Sequence, residues 1–156
     1  MAVEIERKFL VASDAWRAAA GPGVPLRQGY LTEPGHPRGV SVRVRREGDA
    51  ATLTVKGPGG LSRAEFETAI PIADAEAMLD SLCGPLVEKT RHLLHHAGHD
   101  WTVDVFAGRL AGLVLAEIEL PDPAATPPIP PWAGREVTED PRYRNNILAE
   151  AKEPPA

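Results

Sequence analysis

Glutamate recurs at positions i and i+2 three times, as Glu4/Glu6, Glu65/Glu67 and Glu117/Glu119, each time around one apolar residue (Ile5, Phe66 and Ile118). In a β-strand successive side chains point to opposite faces, so each pair sets two carboxylates on one face and the apolar residue on the other. Basic residues follow the same spacing in Arg43/Arg45 and Lys89/Arg91, with Lys8 two positions past Glu6. Lys56 and Asp104 stand singly on further strand-like runs. Chance supplies about one Glu-x-Glu pair in a chain of this composition, so no single pair carries weight. A converging set would. Carboxylate oxygens suit a hard cation such as Mg²⁺ or Mn²⁺, and Arg forks and Lys ammoniums suit phosphate oxygens. A polyphosphate carrying a divalent metal needs both. Thiolate chemistry is not suggested, because the single cysteine, Cys83, has no His-Asp arrangement near it in sequence.

The elements that must position these residues read as strands. Residues 3–11 alternate Val3, Ile5 and Phe9 with Glu4, Glu6 and Lys8, and Arg7 is the one charge on the apolar parity. Strand-length runs follow at 25–33, 39–47, 51–57, 62–70, 86–96, 100–107 and 110–120, divided by Pro-Gly and Gly-rich joints such as Gly57-Pro58-Gly59-Gly60. That joint lacks the Lys-Ser/Thr of a P-loop and reads as a connection between strands. Residues 73–83 carry Ala75, Met78, Leu79 and Leu82 at helical spacing, which predicts an amphipathic helix stopped by Gly84 and Pro85. Shorter helices are expected at 13–20, capped by Ser13 and Asp14, and at 143–151, with an extended Pro-rich connection over 121–132. The fold class is therefore mainly β with a few helices (α+β). Eight antiparallel strands with one charged and one apolar face have two outcomes. Either the charged face meets water, or the sheet closes into an eight-stranded β-barrel whose charged face lines a tunnel.

Composition narrows the partners. The 156 residues fit one domain spanning 1–156, and 43% hydrophobic with 25% charged residues is the balance of a folded chain with a core. A formal net charge of -5 and only 5% aromatic residues argue against a nucleic-acid partner held by phosphate attraction or base stacking. A charged N-terminal stretch with no long apolar segment after it argues against a signal peptide or a membrane partner, and one cysteine fits a reducing cytoplasm. His95, His96 and His99 cluster where a hairpin turn is expected, and polar turn residues account for them without a metal. Trp16, Trp101 and Trp132 read as packing residues, and Cys83 as a small apolar one.

The run Glu4-Ile5-Glu6-Arg7-Lys8 resembles the ExExK signature of the CYTH domain family, the triphosphate tunnel metalloenzymes. The resemblance continues, in family order, through Gln28-Gly29-Tyr30, Arg43/Arg45, Lys56, Glu65/Glu67, Lys89/Arg91, Asp104 and Glu117/Glu119. It implies the closed eight-stranded tunnel and metal-dependent chemistry on a small-molecule triphosphate. Gly60 to Arg63, Glu88 to Arg91 and Arg142 to Asn145 look like the short bacterial inorganic triphosphatases within that family. By the same resemblance Glu4, Glu6, Asp104, Glu117 and Glu119 match metal-binding positions, and Lys8, Arg43, Arg45, Lys56 and Arg91 match the cations that grip the phosphate chain. Lys89 sits where a general base toward the attacking water is expected, with Tyr30 and Lys56 as the competing pair. Glu65 and Glu67 are auxiliary, for a second metal or for orienting Lys and Arg side chains. Lys152 has no family counterpart. Thiamine triphosphatase and class IV adenylate cyclase are the alternative activities, a polyphosphate- or nucleotide-binding module is the non-enzymatic alternative, and a homodimer stays open.

Overall fold

The chain forms nine strands in a computed structural model that describes residues 2–156. They are β1 (Ala2–Val11), β2 (Val24–Tyr30), β3 (Ser41–Glu47), β4 (Ala50–Lys56), β5 (Ser62–Ala69), β6 (Val87–His96), β7 (His99–Phe106), β8 (Val114–Glu119) and β9 (Ala133–Glu136). Neighbours run β5-β4-β3-β2-β6-β7-β8-β1, and β5 pairs back onto β1 through Ala2↔Glu65 and Glu4↔Arg63. Every pairing is antiparallel. The eight expected strands therefore close into a barrel, and of the two outcomes for the charged face, the tunnel is the one adopted.

The ninth strand was not expected. β5 accompanies β1 only as far as Ile5, and β9 takes over that edge where Phe9 faces Glu136 and Val11 faces Ala133. Ala133-Gly134-Arg135-Glu136 has no apolar alternation, and what makes it a strand is the open edge of β1. Its position explains Arg7, whose outward guanidinium forms a two-point bond with Glu136, Nε to Oε2 at 3.0 Å and Nη2 to Oε1 at 2.7 Å.

Other boundaries shift where the backbone turns. β2 stops at Tyr30 and β3 begins at Ser41, because Gly35 and Gly39 between them take positive φ. β8 begins at Val114 instead of residue 110, since a short 3-10 helix (Gly108–Leu110) and Gly112 at φ 99° occupy the approach. Residues 13–20 form a 3-10 helix (Asp14–Ala19), in which Ser13 Oγ accepts from the Ala15 N–H. The β6–β7 hairpin turns on Ala97 and Gly98, both at positive φ.

Apolar residues cover the barrel on the outside. The helix α1 (Ile72–Ser81) lays Ala75 and Leu79 on Val44 and Ala51 of β3 and β4. Trp16, Trp132 and Leu120 seat the 3-10 helix and the Pro-rich connection on Phe9, Trp101 and Val103. At one end, lumenal Tyr30, Val87, Phe106 and Leu115 pack against Tyr143, Leu148 and Ala149. This C-terminal segment comprises a 3-10 turn (Pro141–Tyr143) and the short helix α2 (Asn145–Glu150), and it stops that end of the barrel. Among the described residues no helix is long and apolar enough to cross a membrane.

Candidate active site

Residues directly opposite on antiparallel strands share a face, so register decides which charges meet inside. Glu4 faces Arg63, Glu6 faces Glu119, and Lys8 faces Glu117. Across the barrel Ser41 faces Lys56 and Lys56 faces Glu65, while Arg43 faces Thr54 and Thr54 faces Glu67. Gln28 lies opposite Arg45, Tyr30 opposite Arg43, and Arg91 opposite Asp104. Opposite signs thus pair around much of the ring, and one stretch, Glu6 beside Glu119 with Glu4 and Glu117 flanking, is acid on acid.

These side chains surround a cavity of about 660 Å³ lined by Glu4, Glu6, Arg43, Arg45, Lys56, Arg63, Glu65, Glu67, Arg91, Glu117, Glu119 and Asn145. Residues 98–102 of the β6–β7 hairpin also line it, which places the wide mouth opposite the end covered by α2. Tyr30 lies deeper, in a narrow extension shared with Arg43, Lys56, Arg63 and Asn145. Lys8 reaches a side recess with Glu6 and Arg63.

Three residues expected from sequence form one unit at the cavity wall, Arg91 lining the cavity and Asp104 and Lys89 buried behind it. Asp104, 1% exposed, accepts two bonds from Arg91, Nε to Oδ1 and Nη2 to Oδ2, both 2.8 Å, while Lys89 Nζ lies 2.7 Å from Oδ2. Burial pushes the Asp104 carboxyl up, but Lys89 and Arg91 outweigh it and hold it below its ordinary value. Burial is likewise the largest influence on Lys89; with Arg45 and Arg91 adding repulsion, it outweighs Asp104 and brings the ammonium down to about 8. Arg45 is lowered to about 9, by burial first and then by Arg43 and Arg91.

The CYTH domain profile matches residues 2–146. The chain belongs to the CYTH domain family. Two curated CYTH-length relatives are inorganic triphosphatases. The protein from Acetivibrio thermocellus is 48% identical over 150 residues, covering 95% of this chain and 94% of the relative. The protein from Nitrosomonas europaea is 46% identical over 149 residues, covering 94% and 96%. A solved inorganic triphosphatase superposes with a TM-score of 0.68 at 39% identity, covering 98% of both chains. A Hippeastrum protein with a TM-score of 0.58 at 13% identity, covering 77% of this chain and 80% of its own, shares the fold alone.

The acidic stretch of this lumen offers hard oxygen donors of the kind a divalent cation takes. Glu6 is held well above the ordinary carboxylate range, first by burial and then by Glu117 and Glu4. In Glu117 the pull of Lys8, Lys89 and Arg91 outweighs burial and holds the carboxyl well below that range. Glu117 Oε1 is buried without a hydrogen-bond donor, with Lys8 Nζ 3.5 Å away. Crowded hard oxygens, one of them without a donor, fit a divalent cation. Among the described residues no three His, Cys, Asp or Glu side chains are already gathered as ligands. Glu4 is drawn aside by Lys56, which donates to both of its oxygens at 2.9 and 2.8 Å, and by Arg63 at 3.5 Å.

Glu65 and Glu67 face basic residues, Glu65 Oε2 lying 3.5 Å from Lys56 Nζ and Glu67 Oε2 3.8 Å from Arg43 Nη2. Sequence reasoning left three lumenal residues without a role. Arg63 precedes Glu65 at strand spacing, which was the available signal. Gln28, fully buried, accepts from Arg45 Nε at 2.8 Å, and Asn145 Oδ1 accepts from Lys89 Nζ at 3.1 Å. Neither amide carries a charge pattern by which it could be found. Of the clustered imidazoles, His99 lines the cavity, while His95 Nδ1 lies 2.9 Å from Asp100 Oδ1 on an exposed strand end. Burial raises the Cys83 thiol above its ordinary value, which disfavours the thiolate.

Proposed function

We propose that this chain is a divalent-metal-dependent inorganic triphosphatase, hydrolysing tripolyphosphate to pyrophosphate and phosphate inside the barrel. The carrying observation is one cavity that gathers acidic and basic side chains from β1, β3, β4, β5, β6 and β8, in a chain 46–48% identical to two inorganic triphosphatases. Arg43, Arg45, Lys56, Arg91 and Lys8 bind and orient the phosphate oxygens. They stabilise the charge that develops as water attacks a terminal phosphorus and the bridging P–O bond breaks, leaving pyrophosphate. Glu4, Glu6, Glu117 and Glu119 would hold Mg²⁺ or Mn²⁺, which when bound neutralises phosphate charge and polarises the P–O bonds. Asp104 was expected among these ligands from sequence. In our reading it orients Lys89 and Arg91 instead, because both of its oxygens are committed to them. Glu65 and Glu67 are read as orienting Lys56 and Arg43.

Lys89 is assigned as the base that takes the proton of the attacking water, supported by its depressed affinity for a proton. The Tyr30/Lys56 pair is the second reading, favoured by the fact that Tyr30 and Lys56 line the narrow extension of the cavity whereas Lys89 lies behind its wall. We place the enzyme in the cytoplasm, on the strength of its lone cysteine.

The test is phosphate release from tripolyphosphate, ATP and thiamine triphosphate with Mg²⁺ or Mn²⁺ and with excess EDTA. Metal-dependent turnover with tripolyphosphate preferred is the expected result. A preference for thiamine triphosphate or ATP would replace the substrate, and binding without phosphate release would make the chain a binding module.

A further inference from the structure

The helix α2 has six residues, too few to be stable alone, and its N-cap residue, Arg144, makes no side-chain capping bond. Its two ends are nevertheless fixed. At the C-terminal end Arg109, from the 3-10 helix that follows β7, donates from Nε to the Ala151 carbonyl at 2.7 Å and from Nη2 to the Ala149 carbonyl. Its Nη1 donates at 2.8 Å to the carbonyl of Leu86, immediately before β6. One planar guanidinium thus ties carbonyls at the end of α2 to the start of the strand that carries Lys89 and Arg91. Its charge also complements the negative end of the helix. At the N-terminal end Asn145 Oδ1 accepts from Lys89 Nζ at 3.1 Å and from Gln28 Nε2 at 3.3 Å, and Gln28 in turn accepts from Arg45. An ammonium can only donate, so the amide must present its oxygen, and both lone pairs of that oxygen are used. A six-residue helix spans about 9 Å and transmits displacement from one end to the other.

We propose that Arg109 is a positioning residue for the reaction. By clamping α2 to β6 it fixes the Asn145 amide oxygen against Lys89 and the Gln28–Arg45 pair, and so sets the placement of two lumenal cations it never touches. Leu148 and Ala149 are packed in the core independently of Arg109, so its removal should shift α2 without detaching it from the barrel. The proposal rests on the lumen being the triphosphatase site.

The experiment compares Arg109→Ala, Arg109→Lys, Asn145→Ala and the Arg109→Ala/Asn145→Ala double variant of the full chain. It measures kcat and KM for tripolyphosphate, the thermal midpoint, and the shift of that midpoint with added tripolyphosphate. Expected is a fall in kcat of about tenfold or more in Arg109→Ala with KM changed less, since small misplacements of catalytic groups carry costs of that order. Arg109→Lys should fail to restore kcat, because an ammonium cannot match the three-carbonyl fork. In the Asn145→Ala background the Arg109→Ala change should cost less than twofold further in kcat. Fully additive losses, or Arg109→Ala and Arg109→Lys proteins that lower the thermal midpoint yet keep wild-type kcat, would overturn the proposal. An inactive wild-type chain would overturn the triphosphatase reading instead; there, tripolyphosphate midpoint shifts that are equal in wild-type and Arg109→Ala proteins would overturn the positioning role as well.

Discussion

Lys89 is the base in our proposed reading of the chemistry. A lysine titrates near about 10.4 in water, and burial lowers it here to about 8. The amine is therefore charged at pH 7 and increasingly neutral above pH 8, so if it is the base, activity rises with pH through that window. Between about 8 and 10.4 the unfolded chain holds the extra proton, so this group also makes folding stability rise with pH there. Lys89→Arg keeps a charge that never dissociates, and kcat should drop about a hundredfold with the rising limb lost, as a pH–rate series would record. A wild-type profile in Lys89→Arg, with the limb lost in Tyr30→Phe or Lys56→Arg, would transfer the role to that pair. Glu6 gives a second test at this scale. Burial and its acidic neighbours hold it protonated above the usual carboxylate range, and a divalent cation needs the carboxylate. Metal binding should therefore release a proton at a higher pH than an ordinary carboxylate would allow, measured by calorimetry across a pH series in buffers of different ionisation enthalpy, and Glu6→Gln should abolish the release. Metal binding with no proton exchange at any pH of the series in the wild type would exclude Glu6 from the ligand set.

At the scale of elements, the lumenal cations on β3 depend on what covers the other face of that strand. Val44 separates Arg43 from Arg45 and is buried under Ala75 and Leu79 of α1, so the helix holds β3 from outside while the arginines point inward. Leu79, 3% exposed, is the largest buried contact α1 makes there. Leu79→Ala should cost about 2–4 kcal/mol in denaturant unfolding, the range for a leucine removed from a packed site. A loss below about 1 kcal/mol would mean that α1 is not a structural brace. Outside the barrel the same logic sets Arg7 apart from the neighbours it alternates with. Its partner Glu136 is largely open to water and lies on β9, so the pair joins strands without facing the cavity.

For the whole molecule, closing the sheet sets a length scale. Arg43 and Lys56 reach the narrow inner extension, while Arg45 and Arg91 line the wider part, so the cations are distributed along the cavity. Tripolyphosphate can engage more of them at once than pyrophosphate, and binding energy spent on the distant phosphates lowers the barrier at the reacting one. We expect pyrophosphate to be cleaved with kcat/KM at least about tenfold lower, measured by phosphate release under identical metal conditions. Equal efficiency would show that only two phosphates are held.

Much of this was legible before any folding. Period-two alternation assigns each residue to a face whatever its neighbours are, so Glu4/Glu6, Arg43/Arg45, Glu65/Glu67, Lys89/Arg91 and Glu117/Glu119 could be placed on one side of a sheet from spacing alone. Turn residues with positive φ marked most strand ends, and the order of the charged pairs disclosed the family. Spacing carries no information about which strand pairs with which. Register alone brought Asp104 between Arg91 and Lys89, away from the cavity, and gathered Glu6 with Glu119 and Glu117 where a cation fits. β9 exists only because β1 offers an open edge, and Asn145 and Arg109 gain their partners only because α2 folds back over the barrel end. Those choices depend on long-range contacts, as in Arg7 with Glu136, 129 positions apart, and no local pattern encodes them.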